Sequence, residues 1–285
     1  MNEGYYPPIP DSEIGFVVPV LDYSRMARAL GNSIKHFHPG SRLVVTTVGV
    51  PTVELERLVS DGPYDDLVSY EPVEIDHGGY SPAIWTKIQA IGLDLAPILA
   101  IMDADLMMYG RLDQQFGEYN ASGRIYASIL DGNPTLDRNF ISSVPQLRAL
   151  NTVPALCACL LLVRPNQTLS DALIELARQL EGQSRWPDQA ILGLYAALHG
   201  GWHDLGKRAV IQCRDREILG EWPPRVPLVH VGSPRPRAFG ASPRRWDEPT
   251  YIQANAEFTR LWGARFPEER LSSDLEHRLK QRWLD

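Results

Sequence analysis

The chain has 285 residues, 44% hydrophobic and 22% charged, with a formal net charge of -7 and a pI near 5.5. This balance excludes a disordered chain. The acidic surface excludes broad nucleic-acid binding, which needs cations to neutralise phosphates. The 23 Pro and 22 Gly are scattered without period, so collagen-like repeats are excluded too. Three cysteines, Cys157, Cys159 and Cys213, are an odd and sparse set that fits a reducing compartment better than a disulfide framework. The opening MNEGYYPPIPDSE lacks the basic and apolar regions of a signal peptide. The longest apolar run, around residues 153–163, is about half of a membrane span. The expectation is a soluble, cytoplasmic, globular protein.

Residues 14–21 (IGFVVPVL) form a short β-branched apolar run, the pattern of a buried strand. Asp22 and Ser24 offer N-cap oxygens for a helix carrying Met26, Ala29, Leu30 and Ile34. Pro39-Gly40 ends it, and residues 42–48 (RLVVTTV) predict a second strand. A helix over 53–59 and a weaker strand over 67–75, interrupted by Pro72, follow. Residues 83–95 have helical spacing through Ile84, Lys87, Ile88, Ile91 and Leu95, and 97–102 (PILAIM) is a further apolar strand. This alternation predicts a largely parallel sheet covered on both faces.

Beyond it, strands are expected at 125–129, 155–163 and 228–231, and helices at 169–180 and 188–198. Residues 131–154 look like a loop and 200–227 like a turn-rich stretch. The tail 251–285 has helical spacing through Phe258, Leu261, Trp262 and Phe266. Its acids match its bases in number, so it gains little from an anionic bilayer, and no stable membrane association is expected. The simplest organisation is one α/β domain over 1–245 with a helical C-terminal extension, 246–285, packed on it.

The sharpest chemical feature is Asp103-Ala104-Asp105 at the carboxyl end of the PILAIM strand, where open α/β sheets bind ligands. Two carboxylates at i and i+2 share one side of an extended backbone and suit a hard cation such as Mn²⁺ or Mg²⁺. A bare Asp-x-Asp is more often a solvated turn, but charges delivered by an apolar strand demand compensation. His230, after Pro227-Leu228-Val229, reads either as a core histidine or as a third ligand through a neutral ring nitrogen. Arg235, Arg237, Arg244 and Arg245 form a local basic loop, either a solvated rim or a diphosphate clamp. Cys157 and Cys159 alternate on one strand; with no Cys or His nearby in sequence, they read as small core residues rather than metal ligands.

Taken in order, these residues resemble glycosyltransferase family 8, retaining enzymes with the GT-A nucleotide-sugar fold that use a divalent metal. The resemblance spans roughly residues 14–237 and rests on several short matches. The first strand with Val18, Pro19 and Asp22, and Ser33-Ile34 further on, looks like the family's nucleotide-contacting region. Trp85-Thr86-Lys87 resembles its helix with a basic donor-side residue, and residues 101–105 (IMDAD) its Leu-Asp-x-Asp metal motif. Cys157-Ala158-Cys159-Leu160 stands where the family has Asn-Ala-Gly-Val, and residues 187–192 (PDQAIL) match its Asp-Gln-x-x-Leu helix start. Residues 230–236 (HVGSPRP) resemble its His-x-x-Gly-x-x-Lys-Pro loop, one residue shorter. In place of the usual Lys, Arg235 or Arg237 offers a planar fork that also suits phosphate.

The resemblance implies a mixed, mostly parallel GT-A sheet flanked by helices. It implies transfer of a sugar from a UDP-sugar, with retention, to an acceptor hydroxyl on a small molecule or glycan. Asp103, Asp105 and His230 would hold Mn²⁺ or Mg²⁺. Val18, Pro19, Asp22, Lys87, Asp103, Ala104, Asp131, Gly232, Arg235 and Arg237 would contact the donor, and Asp188 and Gln189 would be catalytic at the sugar. The rival expectations are a noncatalytic nucleotide-sugar binder on the same fold and a sugar nucleotidyltransferase. The latter normally has a Gly-rich basic loop after its first strand, of which LDYSRMARALG is a poor example.

Overall fold

The computed structural model describes residues 6–20, 24–75, 82–130, 153, 156–180, 187–206, 209–212 and 227–230. Its first half alternates β1 (Ile14–Pro19), α1 (Ser24–Phe37), β2 (Arg42–Val48), α2 (Val53–Ser60), β3 (Asp66–Tyr70), α3 (Thr86–Gln89) and β4 (Ile98–Met102). There follow β5 (Leu106–Met108), α4 (Asp113–Ser122), β6 (Tyr126–Leu130), β7 (Leu156–Val163), α5 (Gln167–Gln179) and α6 (Pro187–His199). Three short strands complete the described set: β8 (His203–Asp204), β9 (Val210–Gln212) and β10 (Leu228–His230).

Seven strands form one sheet in the order β3-β2-β1-β4-β7-β6-β8. The β1–β2, β1–β4, β2–β3 and β6–β8 pairs are parallel, whereas β7 runs antiparallel to both β4 and β6. This is the mixed, mostly parallel sheet expected. A second sheet, β5-β10-β9, sets β10 antiparallel to β5 and parallel to β9.

Strand alternation sorts the core into two layers. Phe16, Val18, Ala100 and Met102 pack with Leu30 and Ile34 of α1, Leu55 of α2 and Phe116 of α4. Val17, Leu99 and Ile101 pack on the other face with Ile88 of α3, Leu173 of α5 and Ile191 of α6. Burial of each such large side chain is worth about 1.5–3 kcal/mol against exposure, so both layers are needed to hold the sheet. On β7 the alternation is reset by a bulge opposite Ala127–Ile129. The buried Ser128 hydroxyl fills it, 2.9 Å from the Cys157 carbonyl oxygen and 3.0 Å from that of Leu160.

Three departures from the sequence expectation have local causes. The helix predicted over 83–95 is instead two 3₁₀ turns flanking the four-residue α3. Its carbonyls are drawn elsewhere: Ile88 accepts from Ser170 Oγ and Ile91 from the Asn166 N–H, both at the start of α5. The strand predicted over 67–75 stops at Tyr70, two residues before the donorless Pro72. β5 and α4 had no counterpart in the expectation. Only Phe116 and Tyr119 mark the apolar face of α4, which ends on Gly123 at φ 63. Residues 246–285, expected to be helical, and most of the expected loop 131–154 lie outside the described residues. No helix among the described residues is long and apolar enough to cross a membrane.

Candidate active site

The parallel pairing of β1 with β4 brings two carboxyl ends together. Val17 pairs with Ile101, so Val18 and Pro19 lie beside Met102 and Asp103. The antiparallel neighbour β7 presents its amino-terminal end there, and the Asp103 N–H donates to the Cys159 carbonyl at 2.9 Å. Asp103 therefore extends the β4 ladder by one residue. The chain then turns through the buried Ala104, and the Leu106 N–H donates back to the Asp103 carbonyl at 3.1 Å.

Continued alternation sends Asp103 toward the face of Leu99 and Ile101, where α3 and α6 lie. Lys87 of α3 meets it there, with Nζ 2.6 Å from Asp103 Oδ1 and 3.1 Å from Asp188 Oδ2. Lys87 is 7% exposed and Asp188 5%, while Asp103 is half-buried, so this is an acid–lysine–acid bridge across three elements with its lysine and one acid in the core. The two carboxylates hold the Lys87 ammonium well above its usual pKa, against the opposing effect of burial. Asp188 sits in the first turn of α6, where the helix dipole favours a negative charge. Gln189, the next residue, is half-buried.

The second sheet completes the cluster. β10 pairs with β5 so that His230 faces Leu106, the residue after Asp105. His230 Nε2 stands 3.3 Å from Asp105 Oδ1. Ligand-capable atoms of Asp103, Asp105 and His230 lie within 4.8 Å of one another. Two carboxylate oxygens and an imidazole nitrogen are a donor set that fits Mn²⁺ or Mg²⁺, carboxylate being the hard ligand and imidazole tipping the balance toward a transition ion. Burial, with the Asp105 charge, pushes the Asp103 pKa up to about 6, despite the opposing Lys87 and His230 charges. Burial opposes ionisation of Asp105 as well, but His230 beside it holds that carboxyl below its usual range. Conversely, Asp105 raises the His230 pKa against its burial. The negative charge at Asp103 and Asp105 is thus met, among the described residues, by Lys87 and His230.

Cys157 and Cys159 form the remaining wall. Both are buried, and their sulfurs are 3.1 Å apart. With no histidine near them in the chain, the sequence predicts core residues at both positions. Both do belong to the buried core, and His230, delivered by β10, joins their sulfurs in a group whose ligand-capable atoms also lie within 4.8 Å of one another. The hydrogen-bonded contact with Cys159, assisted by His230, pulls the Cys157 pKa well down, and the same contact with burial pushes Cys159 up.

Of the residues singled out from the sequence, Lys87, Asp103, Asp105, Asp188 and His230 are brought into one linked cluster, with Val18, Pro19, Ala104 and Gln189 on the elements that build it. Asp22, Asp131, Gly232, Arg235 and Arg237 lie outside the described residues.

No protein-family model matches the sequence, and no curated protein matches it. Solved structures do. A galactosyltransferase, LgtC, in complex with donor and acceptor sugar analogues, is 16% identical with a TM-score of 0.54, covering 90% of this chain and 98% of that one. An active-site mutant of LgtC aligns over the same shares at 16% identity and a TM-score of 0.57. The apo form of WbbM, a bifunctional glycosyltransferase, aligns over 98% of this chain and 54% of its own at 14% identity, with a TM-score of 0.56. Likeness at this level of identity is likeness of fold, and with the mixed seven-stranded sheet it defines the class: this is a GT-A-fold protein.

Proposed function

We propose that the protein is a metal-dependent, retaining glycosyltransferase that takes a sugar from UDP and gives it to an acceptor hydroxyl on a small molecule or glycan. The observation that carries this reading is the convergence of Asp103, Asp105 and His230 at the carboxyl ends of β1 and β4. The GT-A fold supports it, as do neighbours that are glycosyltransferases, one of them a galactosyltransferase complexed with donor and acceptor sugar analogues. Asp103, Asp105 and His230 would hold Mn²⁺ or Mg²⁺. The ion would supply positive charge where the departing diphosphate becomes more negative.

The chain's own groups divide the remaining work. Lys87 spends two of its three N–H donors on Asp103 and Asp188 and has a third to offer a donor oxygen. It also fixes the distance between the metal-binding acids and α6. Asp188 is too committed to Lys87 to make a free nucleophile, since its negative charge is already paired in a buried site. That favours same-face substitution over double displacement, which needs an available carboxylate at the anomeric carbon. The Gln189 side chain then stabilises the positive charge growing on the sugar, and the leaving phosphate takes the acceptor's proton. Val18, Pro19 and Ala104 shape the nucleotide side of the cleft, with Asp22, Asp131, Gly232, Arg235 and Arg237 as further donor contacts.

The deciding experiment incubates the protein with a panel of UDP-sugars, with and without Mn²⁺, and reads sugar release and transfer by mass spectrometry. Mn²⁺-dependent turnover of at least one donor is the expected result. Tight UDP binding with no turnover of any donor would make the protein a nucleotide-sugar binder instead.

A further inference from the structure

The acid–imidazole cluster shares its histidine with a second set of ligands of opposite chemical character. Cys157 and Cys159 project from one side of β7, their sulfurs 3.1 Å apart, and His230 completes a trio within 4.8 Å. Both thiols are buried, at 3% and 2% exposure, so they are screened from bulk solvent on the core side. Across the sheet, β7 lies against the end of β4, and the Asp103 N–H to Cys159 carbonyl bond holds the two ligand sets edge to edge. Thiolates select zinc-like ions, whereas carboxylates suit Mg²⁺ and Mn²⁺; imidazole serves either.

We propose that Cys157, Cys159 and His230 form a Zn²⁺ site that overlaps the Asp103, Asp105 and His230 site, so that zinc and the hard cation exclude one another through the shared imidazole. The geometry needs little adjustment. Zn–S bonds near 2.3 Å at a tetrahedral centre set sulfurs about 3.8 Å apart, so the pair must open by a fraction of an ångström, within reach of small χ1 rotations. A fourth position is left for water or for the Asp105 carboxylate, which already faces His230. Binding releases the thiol protons, since the ligating forms are thiolates. Occupied in this way, the hard-cation site loses its nitrogen ligand, and Asp105 with it when that carboxylate takes the fourth position. Zinc therefore acts as an antagonist of the hard cation rather than as a substitute for it. The site stands on its own geometry and does not depend on glycosyl transfer.

The test uses the full chain, reduced and stripped of metal with a chelator. Co²⁺ titration should produce a near-ultraviolet sulfur-to-cobalt charge-transfer band that saturates at about one equivalent and is abolished by Zn²⁺. Cys157→Ser and Cys159→Ser should each lose the band and weaken zinc binding by more than the roughly 10–100-fold typical of outer-shell partners. Asp105→Asn and Cys213→Ser should keep it. In the unaltered protein, Zn²⁺ should slow thiol reaction with a disulfide reagent, a measurement that needs no variant to fold. Bound Mn²⁺, followed by its paramagnetic resonance, should be released by one equivalent of Zn²⁺. A cobalt spectrum without a sulfur band, or a band surviving in both serine variants, overturns the site. Retention of Mn²⁺ beside bound Zn²⁺ overturns the shared histidine. The cobalt and thiol readouts are independent of the UDP-sugar assay, whereas the Mn²⁺ readout rests on the metal site of the proposed function.

Discussion

Lys87 and Asp188 are 101 residues apart in the chain, yet their side chains meet at 3.1 Å in a buried hydrogen bond. The contact locks α3 to α6, and through the 2.6 Å pair with Asp103 it also locks both to the end of β4. One ammonium thus sets the relative position of the expected metal-binding and sugar-facing residues.

Removing that cation strands the buried Asp188 carboxylate and takes from the half-buried Asp103 its nearest counter-charge. Lys87→Met should destabilise the protein by about 3–5 kcal/mol. In the Lys87→Met, Asp188→Asn double variant part of the loss should return, because one stranded charge is gone. Urea unfolding of the three forms measures both effects; equal stability of wild type and Lys87→Met would refute the structural role.

Donor binding should depend on both acids of the Asp-x-Asp pair. Asp105→Asn removes a ligand charge and also frees His230 from its partner at 3.3 Å. UDP affinity in the presence of Mn²⁺ should fall by more than about tenfold, roughly 1.4 kcal/mol. Calorimetric titration checks it, and an affinity unchanged by the variant and by EDTA alike would sink the donor-metal assignment.

Gln189→Ala should separate turnover from nucleotide affinity. If the amide faces the reacting sugar, kcat falls steeply while UDP binding hardly moves. Parallel collapse of both in a folded variant would place Gln189 at the diphosphate instead.

A buried network far from the cleft makes stability pH-dependent. His38 Nε2 accepts from the Leu112 N–H at 3.1 Å, so its proton sits on Nδ1, which donates to Asp11 Oδ1 at 3.1 Å. Burial holds the His38 pKa below 6.5, and the Arg111 charge adds to this, while Asp11 and Asp113 oppose it. A depressed folded-state pKa gives stability that is complete above the unfolded value and is lost as pH falls through the folded one. The stability gap between wild type and His38→Gln should therefore shrink below about pH 6.5, by up to about 1.4 kcal/mol per pH unit. Denaturant melts at several pH values test this; a gap constant from pH 7 to 5 would contradict a neutral buried imidazole.

Packing of α1 on the loop before β3 leaves no room at Gly31. An added Cβ would stand 2.6 Å from Pro63 Cγ and 2.7 Å from the Tyr64 ring, and the Tyr64 hydroxyl is anchored to the Ala27 carbonyl at 2.7 Å. Gly31→Ala should cost about 1–3 kcal/mol through overpacking. A melting temperature at or above wild type would show that the loop yields freely.

The central strands were legible because a strand buried on both faces is a largely apolar run, as β1, β4 and β7 are, and β2 departs from it only at Arg42, Thr46 and Thr47. The acids at the end of β4 and His230 beside them were legible for the same reason, since each follows such a run. What escaped was decided between distant segments. The expected helix around Lys87 is broken by donors from α5, and α4 buries Gln115 and Gly117 as well as aromatics, which blurs its periodicity. The Cys157–Cys159–His230 trio depends on β10 pairing with β5, a register that no local pattern announces.

The β4–β7 ladder is built from main-chain groups, and the bond from Asp103 to Cys159 uses a carbonyl rather than a thiol. The bonds of the ladder therefore do not use the side chains at 157 and 159, although both are buried and any replacement must fit the core. A side chain of similar size at either position would change the groups that face His230 while leaving the main-chain bond that holds Asp103 available. Were the zinc site proposed above to hold, its scaffold and its ligands would be specified by different atoms of the same residues.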